Sequence, residues 1–69
     1  MTVRCKFICM EIITIPGFYT ARFIPVSSGS EENKRFWSAT PSGKLELGTI
    51  NEMPFEVGKE YYLDITLVE

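Results

Sequence analysis

Histidine is absent from this 69-residue chain. Without it there is no His-based triad, and no side chain whose ordinary pKa suits a general base near neutral pH. The Ser, Thr and Cys side chains have no base beside them in the sequence. Glu31 and Glu32 are adjacent, but neighbours on a helix diverge by about 100°, so they form no catalytic pair. P-S-G-K at 41–44 has Gly and Lys in the order of a phosphate loop but lacks its spacing and its following helix. The expectation is a protein that is not an enzyme and has no catalytic residues.

Cysteine is nearly as scarce. The two thiols, Cys5 and Cys9, sit in V-R-C-K-F-I-C-M. On a strand they share one face with Cα atoms about 13 Å apart, at roughly 3.3 Å per residue. A disulfide spans about 7 Å at most. The pair therefore reads as small core residues in a reducing compartment. Two thiolates without histidine fall short of the roughly four ligands of structural zinc, so neither metal nor cofactor is expected.

Long apolar runs are missing too. Nothing approaches the ~20 residues of a membrane span, and no signal-peptide pattern is present. The expectation is a soluble protein, with no membrane partner, that stays where it is made. Positive charge is in short supply: 7 Lys and Arg against 9 Asp and Glu, a net charge of −2. Sequence-independent nucleic-acid binding draws on clustered Lys and Arg, so the acidic balance disfavours it while leaving room for a local basic patch.

What is present is mostly β-strand pattern. Thr2 to Ile15 is β-branched and apolar, with Val3, Cys5, Phe7 and Cys9 on one face and Arg4 and Lys6 on the other. The second face turns apolar from Ile8 onward, with Met10 and Ile12, as a strand entering a more enclosed environment does. The alternation slips at Ile12-Ile13, which predicts a β-bulge there. Pro16-Gly17 has type II turn chemistry. Phe18 to Val26 is the second strand, and Pro25 ends it or marks an edge. Thr40-Pro41-Ser42-Gly43 reads as a type I turn leading into K-L-E-L-G-T-I, where Gly48 predicts a bulge or bend. Asn51 to Pro54 reads as a loop and Phe55 to Lys59 as a turn. Glu60 to Val68 alternates cleanly, with Tyr61, Leu63, Ile65 and Leu67 facing one way.

One stretch breaks the pattern: S-S-G-S-E-E-N-K-R-F-W. Ser28 with Glu31 matches a capping box, and Ser30 is a second candidate N-cap. Glutamates at the start and Lys34 and Arg35 at the end suit the helix dipole. About two turns of helix fit before Ser38, too few to stand alone, so Phe36 or Trp37 must dock on the sheet. Together these elements predict a single all-β domain over residues 1–69 with one short helix. Its sheet is small, antiparallel and strongly bent, or a partly open barrel, of four or five strands.

Surplus aromatics direct the functional reading towards binding. Of Tyr61 and Tyr62, and of Phe36 and Trp37, only one in each adjacent pair can point into the core; the pattern leaves open which. The outward ring serves either to cover a sheet face or oligomer contact, or to stack on a base. Arg35 and Lys34 beside Trp37 suit a phosphate-bearing ligand, although each charge singly reads as a solvated helix surface. The expected ligand-binding residues are Asn33, Lys34, Arg35, Trp37 and Tyr62. A chain this small, without disulfide or metal, gains support from oligomerisation, so a homo-oligomer is expected.

Three pieces in order, S-E-E-N-K-x-F, T-P-S-G-x-L-x-L and F-x-x-G-K-E-Y-Y-L-D-I-T, with the start M-x-V-R-C-K-F, resemble a group of short, mostly uncharacterised proteins of tailed bacteriophages. The resemblance implies a non-enzymatic phage protein acting in the cytoplasm of the infected host cell. There it would bind a nucleotide-like small molecule or a host protein to counter host defence. A single-stranded nucleic-acid-binding small barrel and a minor virion structural or assembly factor are the alternatives.

Overall fold

The computed structural model describes residues 2–69. Four strands and one helix follow in the order β1 (Thr2–Ile15), β2 (Phe18–Pro25), α1 (Glu31–Trp37), β3 (Leu45–Thr49) and β4 (Glu60–Thr66). The strands form one antiparallel sheet, ordered β3-β2-β1-β4, that curls into an open half-barrel. This is the small bent β-domain that the strand patterns predict.

The long β1 is the spine. Its second half pairs with β2, from Phe7↔Pro25 to Ile15↔Phe18. Its first half pairs with β4, from Thr2↔Thr66 to Ile8↔Glu60. Within β1, Phe7 and Ile8 are the residues that carry strand partners on both sides. Pro16-Gly17 closes the β1–β2 hairpin in two residues, with Gly17 at φ +82, the backbone a type II turn asks of its third residue.

Register corrects several expectations. The bulge lies between Cys9 and Glu11, not at Ile12-Ile13, so the extra residue is Met10. From there the faces of β1 exchange, and Ile12 turns inward opposite Ala21. An apolar Met10-Glu11-Ile12 stretch reads alike in either position, because only the partner strand decides which residue is left unpaired. The type I turn expected at Thr40–Gly43 does not form: residues 41–44 are irregular, and the strand they lead into, β3, pairs with β2. Gly48 sits in regular register opposite Thr20, neither bulged nor bent out of the ladder. Its need is spatial: a Cβ there would lie 2.7 Å from Cζ of Phe18, whose ring lies across the glycine. The last strand stops at Thr66, short of Val68.

The concave face holds the core. Cys5, Phe7, Cys9, Ala21 and Phe23 are buried, and Val3, Ile12, Trp37, Leu45, Met53, Phe55, Tyr61 and Leu63 pack around them. Phe23, Phe55 and Tyr61 meet edge to face at centroid separations of 5.1 to 5.9 Å, the arrangement that ring quadrupoles favour. Tyr61 also accepts a hydrogen bond at its hydroxyl from the Glu56 N–H, tying the 50–59 loop over the core. Both cysteines are free, and burial pushes their thiol pKa values up, which leaves them protonated and unreactive at neutral pH.

The helix replaces part of a strand. Beyond Pro25, β2 no longer accompanies β1. The last ladder bond runs from the Val26 N–H to the Lys6 carbonyl, 3.0 Å. The side-chain amide of Asn33 takes over. Its Oδ1 accepts from the Lys6 N–H at 2.7 Å, and its Nδ2 donates to the Lys6 and Val26 carbonyls at 2.8 and 2.9 Å. Asn33 is 1% exposed, and its amide does what a strand residue's backbone would do. The N-cap is Ser30, not Ser28. Its buried hydroxyl accepts from the Asn33 N–H at 3.2 Å and donates to Glu32.

At the other end Ser38 caps the helix in the left-handed region, φ 59, with its N–H donating to the Lys34 carbonyl at 3.0 Å. A side chain there is strained, and glycine relieves it. Ser38→Gly is accordingly expected to raise unfolding free energy by about 0.5–1 kcal/mol. Asn33→Ala leaves the Lys6 N–H and the Val26 carbonyl without partners and is expected to lower it by about 2–4 kcal/mol. Asn51→Ala, on an exposed loop, serves as control and stays within about 0.5 kcal/mol. Urea denaturation of the three variants reads all of these; an Asn33→Ala protein as stable as the control would contradict the role given to this amide.

Candidate functional site

The convex face is where charge collects. Period-2 alternation in β1 puts Arg4 and Lys6 there, and register with β4 sets Arg4 beside Asp64 and Lys6 beside Tyr62. Arg4 binds Asp64 through two parallel bonds, Nε to Oδ1 at 2.7 Å and Nη2 to Oδ2 at 3.0 Å. The same guanidinium lies 4.7 Å from the Tyr62 ring centroid, and the Lys6 ammonium lies 5.7 Å from it. Tyr62 is the outward member of its pair, 54% exposed, while Tyr61 packs into the core. Both cations stand within cation–π range of its ring.

Beside this cluster runs a groove of about 400 Å³ lined by Thr2, Val3, Arg4, Glu32, Arg35 and Phe36. Its volume falls within the range of small-ligand sites. Phe36 is the outward ring of its pair, 54% exposed, set edge-on against Trp37 at 4.9 Å. Arg35 has no ion-pair partner within 4 Å among the described residues. Glu32 keeps its charge readily: its own N–H and the Ser30 hydroxyl hold its carboxyl below the usual range against partial desolvation, with Lys6 and Arg35 adding to the effect. Arg4, Lys6 and Arg35 face Glu32, Glu60 and Asp64, so the patch gathers cations that the rest of this chain of net charge −2 does not, in balance with its carboxylates.

A second groove of about 400 Å³ lies at the other end of the sheet, lined by Met10, Glu11, Arg22, Phe23, Ile24, Lys44, Leu45 and Glu46. Its arginine is already claimed. Arg22 binds Glu46 at 2.7 Å and Glu11 at 2.8 Å, an ion triad across three strands. That groove offers little to an anion.

The five residues singled out in the sequence separate. Arg35 lines the groove beside Arg4, and Tyr62 lies against the same Arg4 outside that groove. Asn33 is committed to the frame, with its amide fully occupied by backbone. Trp37 is half-buried over Phe7, its Nε1 donating to the Ser42 carbonyl at 3.1 Å, so its faces are not free to stack. Lys34 pairs loosely with Glu31 at 3.8 Å. It lines a separate cavity of about 40 Å³ next to the 27–30 loop, room for about one water. Arg4, Lys6 and Phe36 were missed as site residues. Their signal was present in part, since alternation already put Arg4 and Lys6 on the polar face of β1.

No family model, curated protein or solved structure matches the chain. Among the described residues no cluster of three or more His, Cys, Asp or Glu could hold a metal ion. No described helix is long and apolar enough to cross a membrane.

The bidentate Arg4 pair holds the Asp64 carboxyl below its ordinary value. A carboxylate depressed in the folded state stabilises above its unfolded pKa, and that contribution disappears as pH falls through the folded value. The carboxyl carbon of Asp64, the chain's one aspartate, followed by NMR, is therefore expected to titrate below the ordinary aspartate value. In Arg4→Gln it should return to the ordinary range.

Proposed function

We propose that this protein is a non-enzymatic, oligomeric binding module. It takes a small anionic, ring-bearing ligand of nucleotide type in the groove between Arg4, Arg35 and Phe36. The observation that carries this reading is Arg35, which has no ion-pair partner within 4 Å among the described residues and lines one groove with the Arg4 guanidinium and the exposed Phe36 ring. A guanidinium without a carboxylate partner is free to bind phosphate bidentately, and Phe36 offers an edge or face to a base. Tyr62, under the same Arg4, extends the aromatic surface.

With the bacteriophage resemblance, the module acts in the cytoplasm of the infected host cell. There it sequesters a nucleotide signal of host defence, or blocks a host protein that recognises one. A single-stranded oligonucleotide meets the same chemistry through Phe36 and Tyr62, two exposed rings on either side of Arg4.

Calorimetry against nucleoside monophosphates, cyclic dinucleotides and a short single-stranded DNA separates these readings. Binding of a mononucleotide or cyclic dinucleotide is expected, weakened about tenfold or more by Arg35→Glu, at least 1.4 kcal/mol. Lys34→Glu, in the other cavity, should leave it within about twofold. DNA binding that falls steeply with salt, with no mononucleotide binding, favours the strand-binding reading. Absence of binding by any probe at millimolar concentration sinks both.

A further inference from the structure

The molecule is too open for its size. Its accessible surface is 5271 Å², where a compact monomer of 7.9 kDa exposes about 4,400 Å². The excess, roughly 850 Å², is close to what one partner buries in a standard protein interface. The radius of gyration is 13.3 Å, against about 11 Å for a compact 69-residue domain. The molecule measures 40 × 32 × 16 Å, a single curled layer that covers itself only in part.

The two ends of the sheet are not equivalent. β3 is short and contains Gly48. β4 has seven residues, E-Y-Y-L-D-I-T, with no proline, glycine, lysine or bulge to protect an edge. The Cys9 N–H donates to the Lys59 carbonyl at 3.0 Å, so odd-numbered β1 residues are the ones bonded to this strand. Alternation then turns the N–H and C=O groups of Tyr62 and Asp64 out of the free edge.

We propose that two copies of this chain join β4 to β4, antiparallel, about a twofold axis at Leu63, making one continuous eight-stranded sheet. Charge selects that register. Centred on Leu63, Tyr62 of each copy pairs with Asp64 of the other, and Glu60 pairs with Thr66. Leu63 meets its own copy, and Tyr61 meets Ile65, all on the concave side. Centred one residue earlier, Glu60 would oppose Asp64; one residue later, Asp64 would oppose itself. In the chosen register Ile65, 56% exposed in the single chain, is covered. The two Arg4–Tyr62 clusters come side by side across the axis, each ring next to the other copy's Asp64 and its Arg4.

This inference deepens the oligomeric part of the reading above and does not depend on the ligand. Sedimentation equilibrium of the wild-type chain at about 100 µM is expected to give twice 7.9 kDa. Ile65→Lys, at a site exposed in the single chain, should weaken the dimer about tenfold or more, with its circular dichroism unchanged. Ile24→Lys, on the exposed convex face, should leave dimerisation within about twofold. In the wild type, hydrogen exchange of the Tyr62 and Asp64 amides should slow on going from dilute to concentrated protein, while the Gly48 amide on the other edge strand does not. A wild-type chain that stays at 7.9 kDa overturns the proposal, as does a dimer broken by Ile24→Lys and not by Ile65→Lys. So do Tyr62 and Asp64 amides that exchange equally fast at both concentrations. Ligand binding by a strictly monomeric wild type sinks the edge pairing alone, and a dimer that binds no nucleotide sinks the ligand reading alone.

Discussion

The amide of Asn33, laid against the backbone of Lys6, is the contact on which the rest of this structure depends. A sheet in which β2 stops at a proline leaves the Lys6 N–H of its central strand and the Val26 carbonyl beyond the proline without ladder partners. Burying such groups without partners costs about 1–3 kcal/mol each. One side-chain amide accepts from the Lys6 N–H, donates to the Val26 carbonyl and closes the gap. In doing so it fixes α1 beside β1, and with α1 come Trp37 over the core on one side and Arg35 and Phe36 on the convex side. A two-turn helix has little stability of its own. It persists because Ser30 and Asn33 are buried at its start, and Trp37 is packed at its end.

The sheet then sorts chemistry by face. Inward residues are apolar or small, and the two thiols among them are kept inert by burial. Outward residues carry cross-strand ion pairs that neutralise both arginines of the sheet: Arg4 on Asp64, Arg22 on Glu11 and Glu46. Such exposed pairs add little stability. Their effect is to define where charge is left over. Arg35, on the helix rather than the sheet, has no strand neighbour opposite it, and it is left over beside an exposed ring.

Size sets a second constraint. Five buried apolar residues make a small core, and a half-barrel leaves both its ends as strand edges. A chain of this length buries only about 60% of the surface it exposes when unfolded. Surface left uncovered in one copy is surface that a second copy can cover.

Much of this was legible in the residues alone. Strand alternation, Pro16-Gly17, the charge order of α1 and the spacing of the cysteines each follow from local rules. They established a small bent β-domain with one short helix and unbridged thiols. What they could not carry is pairing. A run such as M-E-I-I is compatible with a bulge at more than one residue until a partner strand picks Met10. Asn33 resembles a surface helix residue until Pro25 ends the neighbouring strand and leaves Lys6 to be satisfied. Phe36 and Trp37 differ only in which side of the helix meets the sheet. Arg4 and Tyr62, 58 residues apart in the chain, become neighbours only through the β1–β4 register. Local propensity acts over a few residues and is written in the sequence. Which cation finds a carboxylate and which is left for a ligand depends on long-range register, and only the tertiary structure decided it.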